Sequence, residues 1–136
     1  MEHYDYEPEY EQVGWDVHDN QPVVRILKDG PEDQYKVFYW LCRQEKSTKA
    51  TLALFTFIAQ NAHNWKMRLL RSQAIEVLGF SKSTYQRAKE QLEEYGILRL
   101  SDDWIRTSSG KMIRLWNFDL IHKAVEIARE ETSTHG

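Results

Sequence analysis

Between residues 82 and 95 the apolar side chains fall at Tyr85, Ala88, Leu92 and Tyr95, with polar residues dominating between them. Steps of three, four and three residues place them on one stripe of an α-helix, so the pattern predicts a helix with one buried face. Ser81 stands where a side-chain oxygen can accept a bond from the free N–H groups of the first turn. Gly96 stands where a residue without Cβ can take the left-handed conformation that ends a helix. A shorter helix is predicted just before it, capped by Ser72, with Ala74, Ile75, Val77 and Leu78 turned inward and Gly79 as its stop. From Lys49 to Asn61 only Thr56 and Gln60 form a narrow polar stripe. That stretch predicts a central helix, buried nearly all round and capped by Ser47 or Thr48. A last amphipathic helix is predicted from about Asp119 to 131, with Leu120, Ile121, Ala124, Val125 and Ala128 on one face.

The remaining apolar runs read as strands. Ile97-Leu98-Arg99-Leu100 begins one; Trp104-Ile105-Arg106 and Met112 to Trp116 flank the turn-forming segment 107–111 and predict a hairpin. Met67-Arg68-Leu69-Leu70 predicts a third strand beside it. Nearer the N-terminus, Val23 to Lys28 and Tyr35 to Cys42 surround the turn formers Asp29-Gly30-Pro31-Glu32-Asp33 and suggest a further β-like hairpin. The second of these runs is apolar on both faces and fits a buried helical turn equally well.

The chain has 136 residues, 41% hydrophobic and 29% charged, enough apolar material for the core of one domain. No apolar stretch approaches the roughly 20 residues of a membrane span. The acidic, aromatic start Met1-Glu2-His3-Tyr4-Asp5-Tyr6-Glu7 lacks the basic and apolar regions of a secretory signal. Cys42 is the single cysteine, which favours a reducing, intracellular home; the expected location is cytoplasmic, on the nucleoid if the cell is prokaryotic. The net charge of −3 conceals a strong asymmetry. Residues 1–20 carry Glu2, Asp5, Glu7, Glu9, Glu11, Asp16 and Asp19 with no Lys or Arg, whereas residues 36–114 hold fourteen Lys or Arg against seven Asp or Glu. The expected organisation is an acidic, flexible arm over 1–20 and one folded domain over 21–136.

A short helix, a glycine turn and a second helix with one buried stripe form a helix-turn-helix. The ordered residues Ala74-Ile75-Glu76-Val77-Leu78-Gly79-Phe80-Ser81-Lys82-Ser83-Thr84-Tyr85-Gln86-Arg87-Ala88, followed by Leu92-Glu93-Glu94-Tyr95-Gly96-Ile97-Leu98, resemble a winged helix-turn-helix DNA-binding domain. The resemblance covers about 30 residues closely and about 75 loosely. It implies an α+β fold with a three-helix core and a β-hairpin wing. The helix-turn-helix would span about 72–95 and the wing about 97–118, preceded here by the β-like hairpin and followed by the C-terminal helix. The layout is also similar to that of small plasmid and phage replication initiators.

If the second helix buries Tyr85, Ala88 and Leu92, its opposite face presents Lys82, Ser83, Gln86, Arg87 and Glu90. Arg pairs with guanine O6 and N7, and Gln with adenine N6 and N7, so Gln86 and Arg87 are the expected base readers. Lys82 and Ser83 suit phosphates. Ser72, at a helix N-terminus with its partial positive charge, is a further phosphate candidate. Arg99, Arg106, Lys111 and Arg114 would meet flanking backbone or minor groove. The expected function is sequence-specific binding of double-stranded DNA in transcription regulation or replication initiation, by a homodimer, since specific sites usually engage two reading heads. A second reading makes the domain a protein adaptor whose acidic-aromatic arm grips a basic partner or imitates DNA. A third docks residues 1–20 on the chain's own basic surface. No enzymatic activity, cofactor or metal is expected: His3, His18, His63, His122 and His135 show no ligand spacing, no phosphate-binding glycine loop or nucleophile elbow occurs, Cys42 reads as packed, and Asp102-Asp103 reads as a solvated turn.

Overall fold

The computed structural model describes residues 23–26, 31–60, 67–106 and 109–135; the acidic arm lies outside them. The order of elements is β1 (Val23–Ile26), α1 (Pro31–Cys42), α2 (Lys49–Ala59), β2 (Met67–Leu69), α3 (Leu70–Leu78), α4 (Lys82–Glu94), β3 (Leu98–Arg106), β4 (Met112–Phe118) and α5 (Leu120–His135). The fold is α+β, as expected.

Among the described residues the four strands form one sheet in the order β2-β1-β4-β3. β3 and β4 are the antiparallel hairpin anticipated around 107–111, although residues 107 and 108 themselves lie outside the described set. β2 was expected beside that hairpin. Instead β1 lies between them, antiparallel to β2 and parallel to β4, with Val23 level with Leu115 and Val24 level with Trp116. Val23 and Val24 are both fully buried although they point to opposite faces, which is the mark of an interior strand. Val24, Leu98 and Phe118 face the helices and join their core; Val23, Ile105 and Leu115 are buried on the other face.

The run Tyr35 to Cys42 is not a strand but the last eight residues of the twelve-residue α1. Pro31 opens this helix, where its missing N–H costs nothing, and Glu32 and Asp33 complement the partial positive charge of its first turn. Residues that make turns are also residues that start helices, and here the second use wins. Val37 and Leu41, one turn apart, are fully buried, so the helical period turns Cys42 outward. It is exposed rather than packed.

Thr48 caps α2 in a reciprocal box: Thr51 N–H donates to Thr48 Oγ1 at 3.2 Å, and Thr48 N–H donates to Thr51 Oγ1 at 3.3 Å. Leu54, Phe55 and Ile58 make α2 a centre of the core, with Phe55 in ring contact with Phe38 of α1 and Phe118 of β4. The C-terminal helix differs in facing. Leu120, Lys123, Ala124 and Ile127 are its buried stripe, whereas Ile121 and Val125 stay about half exposed. α5 packs on α1, where the Lys123 ammonium sits 4.0 Å from the centre of the Trp40 ring.

Candidate nucleic-acid interface

α3 and α4 meet through Gly79, Phe80 and Ser81. Gly79, at φ +69°, ends α3 and donates its N–H to Ile75 O at 3.1 Å. Ser81 caps α4 by accepting from Thr84 N–H at 3.1 Å. α3 begins at Leu70, so Ser72 is its third residue and lies in the first turn rather than at the cap. Ala74 is buried as expected, but Val77 is 64% exposed, because the inward stripe of so short a helix is limited to Ala74 and the half-buried Ile75 and Leu78.

α4 buries Tyr85, Ala88 and Leu92, and its C-terminus closes as a Schellman motif. Ile97 N–H reaches Leu92 O at 2.9 Å and Gly96 N–H reaches Glu93 O at 2.9 Å, with Gly96 at φ +78°. Burial drives the Tyr85 hydroxyl's pKa well above its ordinary value, a rise that nearby Arg71 only partly offsets. The opposite face carries Lys82, Ser83, Gln86, Arg87 and Glu90, all exposed. Gln86 Nε2 donates to Glu90 Oε2 at 2.9 Å, which holds the amide upright along the helix. Lys82 and Arg87 make no ion pair among the described residues, so both charges stand open to solvent.

Lys89 shows a feature that residue type alone hides. It is almost fully buried, its ammonium 3.9 Å from the centre of the Trp116 ring and 2.6 Å from Glu93 Oε2. Trp116 pairs with Leu100, so this contact makes β3 and β4 run back alongside α4 rather than away from it.

The four basic residues expected on the hairpin are not equivalent. Arg106 and Lys111 are exposed near its tip. Arg114 donates to Ser101 O at 2.8 Å and to Asp102 Oδ1 at 3.2 Å, and Arg99 pairs with Asp119 at 3.1 Å, so both carry structural bonds. Those partners come from a bulge. β3 places Ser101, Asp102 and Asp103 opposite the single residue Leu115, and the acids expected in a turn lie inside a strand. Asp103 in turn reaches Arg25 of β1 at 2.6 Å, and Arg25 donates to Asn117 Oδ1 at 3.0 Å.

No protein-family model, curated protein or solved structure matches the chain. Its chemistry is therefore read from its own geometry. Ser72, Lys82, Ser83, Gln86, Arg87 and Glu90 lie on two consecutive helices, and Arg106 and Lys111 on the hairpin that returns beside the second. Among the described residues no group of three or more His, Cys, Asp or Glu is placed to hold a metal, and no helix is long and apolar enough to cross a membrane. Trp104 was not among the sequence candidates. It is 51% exposed on the hairpin, and the alternation Trp104-Ile105-Arg106, with Ile105 buried, is the signal that turns it outward.

Proposed function

We propose that this chain is a sequence-specific double-stranded DNA-binding protein of the winged helix-turn-helix kind, acting in transcription regulation or replication initiation. α2, α3 and α4 serve as the three-helix core, and β3–β4 as the wing. One observation carries the reading: the outward face of α4 gathers Lys82, Ser83, Gln86 and Arg87 opposite the buried Tyr85, Ala88 and Leu92, beside a hairpin with a basic tip. In this reading α4 enters the major groove, Gln86 and Arg87 contact base edges, Lys82 and Ser83 hold phosphates, and Arg106 and Lys111 meet the flanking backbone. Ser72 adds a phosphate contact from the first turn of α3, where the partial positive charge of the helix end favours an anion. A homodimer belongs to this proposal, since one head covers one half-site. The half-exposed Ile121 and Val125 of α5, one turn apart, and Tyr35 and Tyr39 of α1 offer it exposed apolar surface.

The acidic arm belongs to the same reading. β1 runs parallel to β4, so the end of β1 to which the arm is joined points toward the wing tip. An arm with seven acids attached there would compete with DNA for Arg106 and Lys111.

Labelled duplexes selected from a random library and titrated at rising salt test the proposal. Specific binding should weaken steeply with salt, with a slope set by the number of phosphates neutralised. Absence of binding to any duplex at low salt sinks it.

A further inference from the structure

Trp104 lies in the middle of a solvent-facing patch. Its register partner is Arg114, and Leu100 and Met112, on the same face of the hairpin, are 44% and 46% exposed. A wing that only touches a phosphate backbone needs cations and hydrogen-bond donors, not a large ring held half in water. The ring is held, moreover, with cations about it. The Arg114 guanidinium, fixed by Ser101 O and Asp102, lies 6.0 Å from the Trp104 ring centre. Arg106, two residues along the same strand, is exposed on the same face toward the tip.

We infer that Trp104 is a stacking platform for an unpaired nucleotide, with Arg106 beside it for the phosphate. An aromatic face takes any base and is useful only once that base has left its own stack. Trp104 lies on the same face of the hairpin as Trp116, the ring that Lys89 of α4 touches, so the platform stands on the side of the sheet that carries α4. The ligand class is therefore a duplex that passes into single strand, the form of DNA made when a helix is opened. This rests on the duplex-binding reading above, and within it favours replication initiation over transcription regulation.

Fluorescence anisotropy with the full chain tests it on three probes: a blunt duplex, the same duplex with an unpaired central bubble, and an oligo(dT) strand. The wild type should prefer the bubble over the blunt duplex by roughly tenfold, the scale of one stacked base. Trp104→Ala should erase that preference and leave blunt-duplex affinity within about twofold, while Trp104→Phe, which keeps a stacking face, should retain most of it. Thermal melting of each variant checks that the exposed site leaves the fold intact. Equal loss on bubble and blunt duplex, or no change on either, overturns the platform and leaves duplex reading standing. A shift of the free Trp104→Ala protein from dimer to monomer, with bubble preference intact, assigns the patch to a second copy of the chain and overturns it too. Trp104-dependent binding to oligo(dT) and bubble without any to blunt duplex keeps the platform and removes the duplex reading. Failure to bind all three removes both.

Discussion

Lys89 and Lys123 show why a residue's type does not settle its role. Both are nearly fully buried, both place the ammonium about one ring contact from a tryptophan, and both keep a carboxylate partner, Glu93 and Glu126. Each joins two elements: Lys89 ties α4 to the hairpin, and Lys123 ties α5 to α1. Lys89→Ala removes the ring contact and leaves Glu93 half-buried without its cation, so unfolding should cost about 1–3 kcal/mol less, read by urea denaturation. The opposite sign is expected at Tyr85, whose hydroxyl is buried with no hydrogen-bond partner among the described residues. Tyr85→Phe removes a desolvated polar group and should leave stability unchanged or raise it by up to about 1 kcal/mol. At Arg87, exposed and unpaired among the described residues, alanine should leave the melting temperature unmoved. It should relax base preference at one position by about 1–3 kcal/mol in competition binding.

At the scale of elements, the helix boundaries were legible because capping chemistry is local. Thr48, Gly79, Ser81 and Gly96 act on backbone groups within four residues of themselves, so their types in sequence sufficed. Ser72 misled because a strand residue directly precedes α3 and the helix starts two residues earlier than any cap signal. Gly96→Ala should destabilise by about 1 kcal/mol through its left-handed backbone alone, since open space surrounds the position where a Cβ would sit. The last helix carries a pH signature. Desolvation opposes ionisation of Glu126, but Lys123 and His122 outweigh it and hold its carboxyl below the ordinary 4.5. A lowered folded-state value means this stability is present above about pH 4.5 and is lost as pH falls through the folded value. Glu126→Gln should therefore flatten the acid limb of the stability profile by roughly 0.3–0.5 kcal/mol, the size of an exposed helix pair.

At the scale of the whole molecule, the charge asymmetry and the sheet order combine into one prediction. The direction of β1 joins the seven-acid arm to the end of the sheet nearest the basic tip of the β3–β4 hairpin. Deleting residues 1–20 should raise affinity for non-specific duplex several-fold at low salt while leaving the preferred sequence unaltered. An unchanged non-specific affinity discards the arm as a competitor. The sequence by itself determined the α4 stripe, the caps of α2 and α4, the hairpin and the outward facing of Gln86 and Arg87, because periodicity and capping act over one or two turns. Only the tertiary structure decided that Tyr35 to Cys42 is a helix, that β1 separates β2 from the hairpin, that Arg99 and Arg114 are tied to Asp119 and Asp102, and that Trp104 stands in solvent. The reason is physical: an apolar run buries equally well as strand or helix, and a cation's freedom depends on which carboxylate the fold brings beside it. Those outcomes are set by neighbours far away in sequence, which no local pattern carries.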